Sequence, residues 1–265
     1  SRRPLTTAVN PSRFETLANW GRRNRRRFVL GGLLATAIPL GGFFVHMKTQ
    51  SDRERNRNEA MQCVTRGASF ASRGRWDEAH ALYERAKRLD PTLHQPYSGL
   101  GDIAFHRDDF PSAFQHLSRA IKIVEAKPSG ATASEHGPYH LGRAATSLRW
   151  GVKCLEQPDK DHVEARSHFT QALRDLARAW VLDQDSLTCR RVYKDSGYIE
   201  MLLGNEESRQ NRYDESIGHY DRAVKLLVEA VRLNPEDQET ARYLKNAKQC
   251  LKVDQQELKR QREGA

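Results

Sequence analysis

The chain has 265 residues, with 44 Lys and Arg against 34 Asp and Glu, a net charge of +10 and a pI near 9.6. A hydrophobic fraction of 38% is too low for a polytopic membrane protein. The 4 cysteines (Cys63, Cys154, Cys189 and Cys250), none in a C-x-x-C pair, are too few and too scattered for a disulfide scaffold.

A charge of this size ordinarily points to nucleic acid or to an anionic membrane surface, and its location decides between them. Residues 1–57 hold 12 basic and 3 acidic residues, a net +9, which leaves +1 for the remaining 208. The basic character therefore belongs to an N-terminal arm. Within residues 1–27 of that arm, Ser12-Arg13-Phe14-Glu15 reads as a capping box. Phe14, Leu17 and Ala18 then share one face, with Trp20 at the end, which fits a short interfacial helix on an anionic leaflet.

Residues 28–47 (FVLGGLLATAIPLGGFFVHM) carry no formal charge and have no polar face. A helix of 20 residues spans roughly 30 Å, the hydrocarbon thickness of a bilayer. The expectation is an uncleaved single-pass transmembrane helix. Ala35-Thr36-Ala37 has the spacing of a signal-peptidase site, but cleavage there would leave a core at the short limit for a signal. Arg25-Arg26-Arg27-Phe28-Val29 matches a twin-arginine signal only weakly. The 8 basic residues before the span and 4 after it place the N-terminus on the cytoplasmic or matrix side. The rest of the chain then lies on the periplasmic or intermembrane side of a bacterial or mitochondrial inner membrane. Gly31, Gly32, Ala35, Gly41 and Gly42 would permit close packing against another transmembrane helix. Residues 48–59 read as a linker.

From residue 60 onward helical periodicity dominates and alternating β-branched runs are absent, so the fold class is all-α. Two stretches are self-similar: Trp76-Asp77-Glu78-Ala79 through Tyr83, Arg85 and Ala86, and Tyr213-Asp214-Glu215-Ser216 through Tyr220, Arg222 and Ala223. Each ends in a turn, Leu89-Asp90-Pro91 and Leu233-Asn234-Pro235. With Gly67, Gly74 and Pro91, the first stretch resembles the tetratricopeptide repeat, a helix–turn–helix unit of about 34 residues. Tyr97, Leu100, Gly101, Phe110, Ala113, Leu117 and Ala120 make a second repeat, followed by a surface loop over Lys127–Gly137. A third begins at Leu141-Gly142 and continues through Ala165, Phe169 and Ala172. In the third and fourth repeats 7 residues, Leu173–Ala179 and Val224–Ala230, intervene before the closing turn. Seven residues are about two turns, so the second helix of each should be longer by about 10 Å with its apolar face kept in register. The resemblance implies an α-solenoid of four helical hairpins over residues 60–250. A capping helix closes it, its end and tail occupying residues 251–265.

None of the nucleotide-binding, hydrolase or metalloprotease motifs is present, so the chain is expected to be non-catalytic and without a cofactor or metal. His136 and His140 are separated by Gly137-Pro138, and His162 and His168 fall off one face, so surface histidines are expected. Cys63 and Cys189 fall in first-helix segments and read as packed thiols. Solenoids of this family bind partners in a concave groove lined by the first helix of each hairpin. Counting from the small residue of each such helix gives Ser98, Asp102, Phe105, Arg143, Lys194, Tyr198 and Met201, with Val64 and Ala68 in the first repeat. Chaperone-binding members hold a terminal carboxylate with Lys and Asn there. Val64/Ala68 and Ser98/Asp102 supply no such clamp.

The expected role is protein–protein interaction beside a membrane, as an accessory subunit of a larger complex. Its partners would be other subunits, another transmembrane helix and anionic lipid. The alternative is an anchored receptor or chaperone adaptor for translocation or assembly. An RNA-binding arm would have only Phe14 and Trp20 to stack bases, so no nucleic-acid partner is expected.

Overall fold

The computed structural model describes Trp20 and residues 25–126, 133–157 and 161–264, with the side chains of 25–45, 133–135 and 264 outside the description. The described residues form nine helices and no strand: α1 (Arg25–Ala71), α2 (Trp76–Leu89), α3 (Gln95–His106), α4 (Phe110–Glu125), α5 (Ala133–Glu156), α6 (His162–Leu182), α7 (Ser186–Arg209), α8 (Tyr213–Leu233) and α9 (Gln238–Gly264). The chain divides into two compact units, residues 1–58 and 59–265.

Residues 48–59, read from the sequence as a linker, are helical and belong to α1. The segment KTQSDRERNRNE contains neither Gly nor Pro and is rich in helix-favouring Lys, Arg, Glu and Gln. Among the described residues no helix is long and apolar enough to cross a membrane. The span at 28–47, with Gly31, Gly32, Ala35, Gly41 and Gly42, lies in the part of α1 whose side chains fall almost wholly outside the described residues. The arm over residues 1–19 lies outside them altogether.

In the second unit the end of α1 pairs with α2, α3 with α4, α5 with α6 and α7 with α8, and α9 covers the last pair. Capping starts several helices where the sequence provides an aspartate. Asp109 accepts from the Ser112 amide at 3.2 Å, Asp161 from Glu164 at 2.8 Å and Asp185 from Thr188 at 2.5 Å. The turns inside hairpins one, two and four share a left-handed residue two positions before the aromatic that opens the second helix. These are Gly74 (φ 73°), Asp108 (φ 57°) and Asn211 (φ 58°). A side chain at Gly74 would occupy free space but a costly backbone region. Gly74→Ala should therefore lower stability by about 1–2 kcal/mol, whereas Asp108→Gly and Asn211→Gly should not, as urea unfolding midpoints would read.

Each hairpin closes on a glycine facing a large side chain. A Cβ added at Gly67 would lie 3.0 Å from Tyr83, and one at Gly204 2.8 Å from Tyr220. The third hairpin uses Gly151, whose added Cβ would lie 2.6 Å from Phe169. Gly142, read from sequence as the small residue of this helix, instead faces Leu117 of the preceding hairpin at 3.5 Å, as Gly99 faces Tyr83.

The lengthened second helices are present: α6 and α8 have 21 residues each against 14 in α2. The added segments bury Leu176 and Ala179 in one and Leu227 and Ala230 in the other. Ala179 and Ala230 accept the closing amide of Asp183 and Asn234, as Ala86 accepts that of Asp90. The first helices of these hairpins are lengthened too: α5 and α7 have 24 residues against 12 in α3. Helix α5 begins at Ala133, not Leu141, and carries Pro138 inside it, in its second turn. The surface loop read over Lys127–Gly137 is thus helical from Ala133 onward.

Candidate protein-binding groove

Among the described residues the backbone of α3 closely approaches that of α5, α5 that of α7 and α7 that of α9, while no two backbones of α2, α4, α6 and α8 come as close. The layer whose alternate members lie closer together is the inside of a curve. The first helices of the hairpins therefore line the concave side, as the repeat pattern predicts.

The structure divides the seven sequence-derived groove residues. Asp102 is exposed on α3 and makes no hydrogen bond or ion pair among the described residues. Burial of its surroundings nevertheless pushes its carboxyl pKa upward, opposed by the positive potentials of His106 and Arg191. An accessible carboxylate with much of its water excluded marks a recess. Tyr198 on α7 is half-buried and stacks on Tyr243 of α9, with ring centroids 4.5 Å apart and planes at 22°. The Tyr243 hydroxyl donates to Glu239 at 2.7 Å. Desolvation raises the pKa of both phenols, so both are neutral hydrogen-bonding groups at physiological pH. Ser98 and Phe105 are half-buried, Phe105 lying edge-on to His106 and to Phe110 of its own hairpin.

Three residues are committed elsewhere. The guanidinium of Arg143 donates to both carboxylate oxygens of Asp175 at 2.9 and 2.6 Å and to Ser118 at 3.0 Å, so it faces the second-helix layer. The reason is register. Gly142 plays the part of Gly99, two residues short of Gly101, and two residues rotate a helical position by roughly 200°. Lys194 donates to Asp237 at 3.1 Å and to Glu239 at 2.5 Å, tying α7 to the start of α9. Asp237 also caps α9 through the amides of Glu239 and Thr240. Desolvation opposes its ionisation, but hydrogen bonds from the Thr240 hydroxyl and amide, together with Lys194, outweigh it, and its pKa falls to about 2. Met201 is 7% exposed and packs with Tyr220, Leu227 and Ala247, so it is core.

Sequence reasoning missed Arg191 and Asp195. Arg191 and Asp195 precede Tyr198 at helical spacing on one face, their charged groups 3.5 Å apart. Burial raises the Asp195 pKa, and Arg191 and Lys194 oppose the rise. The signal was available as an i, i+4, i+7 pattern, but it lies on turns that a 34-residue repeat does not possess.

His162 is exposed as expected, whereas His140 and His168 are not surface side chains. His140 is 4% exposed, with Nδ1 3.5 Å from Asp175. His162 pairs with Glu206, and His168 stacks on Trp150 with centroids 4.0 Å apart. Cys63 is buried as read, and Cys189 is half-buried; neither they nor Cys154 and Cys250 form a disulfide.

The tetratricopeptide repeat family model matches residues 64–131, the first two hairpins. The repeat family is supported there by sequence. A curated relative, Hsp70-Hsp90 organizing protein 1 of Arabidopsis thaliana, is 26% identical over 171 residues, covering 52% of this chain and 29% of that protein. The match thus spans less than a third of the relative's length. Among solved structures, a thermophilic TPR protein of Thermus thermophilus is 15% identical with a TM-score of 0.43, covering 71% of this chain and 98% of that one. The pilF protein of Pseudomonas aeruginosa is 14% identical with a TM-score of 0.43, covering 74% of this chain and 68% of that one.

Proposed function

We propose that this chain is a non-catalytic protein-interaction scaffold whose concave face holds a segment of a partner. Residues 28–47 would anchor it beside a membrane as an accessory subunit of a larger complex. The observation that supports the groove most directly is the pairing of an exposed Asp102, unpartnered among the described residues, with the Tyr198–Tyr243 stack on the same layer of helices. Together they offer a partner one buried-edge carboxylate and one aromatic platform, the mix from which binding hot spots are built. The charge asymmetry supports the anchor: +9 flanks the apolar segment and +1 is spread over the rest.

The test is co-purification of the full chain in mild detergent, with bound chains identified. Asp102→Ala and Tyr198→Ala should each weaken capture of the same partner by roughly tenfold or more while helicity is unchanged. Unaltered capture by both variants would refute the groove as the site. Protease protection in sealed vesicles reads the anchor: residues 59–265 should be shielded when the cytoplasmic or matrix face is outside.

A second reading, an adaptor for chaperones or translocated clients, draws on the likeness to the Arabidopsis protein. Against it, the groove carries Asp102 and Ser98 where capture of a terminal carboxylate needs cations, so clients would have to bind through internal segments. Transient rather than detergent-stable association distinguishes the two.

A further inference from the structure

The third hairpin carries a second chemical feature, remote in role from the groove. Cys154 lies in the last turn of α5, and Glu164 and His168 lie one turn apart at the start of α6. The thiol, a carboxylate oxygen and an imidazole nitrogen all lie within 4.8 Å of one another. Glu164 Oε1 and His168 Nε2 are 3.4 Å apart. Bond lengths of about 2.0–2.3 Å to zinc place tetrahedral ligand atoms roughly 3.3–3.8 Å apart. The widest of the three separations therefore needs to close by at most about 1–1.5 Å, within the reach of side-chain torsions.

The arrangement is supported from outside the cluster. Trp150, one turn before Cys154, stacks on the His168 ring and holds its plane. Asp161 caps α6 by accepting the Glu164 amide, which fixes the turn that carries the carboxylate. Cys154 is 5% exposed, whereas Glu164 is exposed and His168 half-buried, so a buried thiol sits beneath a ligand pair open to solvent. A cation between the groups would bind the thiolate and neutralise the carboxylate at once.

We propose that Cys154, Glu164 and His168 bind one divalent cation of the zinc class, joining the end of α5 to the start of α6. A set of one sulfur, one nitrogen and one oxygen donor selects zinc or its transition-metal neighbours over magnesium and calcium, which take oxygen ligands. Three protein ligands leave a fourth position for water. On binding, the thiol S–H bond breaks, its proton passes to solvent and the S–metal bond forms, with no change in oxidation state. The cation braces the hairpin where its two helices are joined by a short connection.

The test titrates the full chain, reduced and in detergent, with Co²⁺ and then with Zn²⁺ alone. One cobalt per chain should bind with a thiolate-to-cobalt charge-transfer band, which an equivalent of zinc should displace. Cys154→Ser should abolish the band, while replacement of Cys63, Cys189 and Cys250 together should preserve it. Glu164→Gln and His168→Gln should weaken zinc affinity by at least roughly tenfold, the scale on which even supporting groups act. Glu164 is exposed, so its variant folds and reports even if the buried Cys154 variant does not. Zinc should also raise the melting temperature of the wild type and leave Cys154→Ser unmoved. Absence of the band, its persistence in Cys154→Ser, or unchanged affinity in Glu164→Gln would each overturn the proposal.

Discussion

Phe169→Ala should lower the unfolding free energy by about 3–5 kcal/mol, as deletion of a buried aromatic ring generally does. Phe169 is 0% exposed and lies in one buried cluster with Leu176, Ile199 and Leu203, a cluster that joins α6 both to its own hairpin and to the next. The cavity would open against Gly151, where an added Cβ would come 2.6 Å from the ring and 3.1 Å from the Ala165 carbonyl oxygen. Gly151→Ala alone should therefore also destabilise, by about 1–3 kcal/mol, through overpacking. The double variant discriminates this account from generic damage. With the ring gone the new methyl keeps only its 3.1 Å approach to the Ala165 carbonyl oxygen, so Gly151→Ala should be cheaper in the Phe169→Ala background. Urea unfolding of all four proteins, followed by circular dichroism, gives the coupling, expected at about 0.5–3 kcal/mol. Strictly additive losses would show that Gly151 and Phe169 do not form the joint described here.

Asp175→Ala should cost a similar amount, about 3–5 kcal/mol, for an electrostatic reason. The Asp175 side chain is 3% exposed and that of its partner Arg143 is 17% exposed. Removing the carboxylate leaves a guanidinium in a poorly hydrated site with only Ser118, among the described residues, as a side-chain hydrogen-bond acceptor. Gln171 also donates to Asp175, at 3.2 Å, so its amide loses a partner as well. The same site predicts a pH dependence. Desolvation raises the Asp175 pKa, but hydrogen bonds from His140 and Arg143 and the Arg143 charge outweigh it, and the net shift is downward. A carboxylate with a folded pKa below its unfolded value, about 3.9, stabilises the protein above that value. The contribution is lost as pH falls through the folded pKa. Glu207, held by Arg166 and Arg212, has a pKa lowered in the same net direction and adds with the same sign. Wild-type stability should thus decline from about pH 5 downward, and Asp175→Asn should decline less steeply over that window. Parallel acid profiles for the two proteins would contradict the assignment.

Both predictions fall in the third hairpin, where sequence reasoning was weakest. The first two repeats were legible because their signals are local. Gly67, Trp76, Ala79, Tyr83 and Ala86 recur at spacings set by one helical hairpin, and the structure packs them as that pattern requires. The seven-residue additions to α6 and α8 were legible for the same reason: two turns preserve the direction of the apolar face. Lengthening of α5 and α7 left no such trace, because the added turns of α5 run through Pro138 and those of α7 carry charge. Arg143 was misassigned because Gly142 mimics a repeat glycine while serving the preceding hairpin. Asp175 sits inside an inserted segment that has no counterpart in a standard repeat, so its burial had no template.

The sequence by itself determined that the body of this chain is a helical repeat, where its aromatic and small residues meet, and where its positive charge lies. Each of these depends on neighbours within one or two helices, and helical periodicity encodes that directly. Only the tertiary structure decided which polar side chains face the groove and which are spent on internal pairs. It alone also brought Cys154 to Glu164 and His168, and Tyr198 to Tyr243. Those outcomes depend on the rotation of one helix against another. An error of two residues in register turns a side chain through more than half a circle, and no single-helix pattern records it.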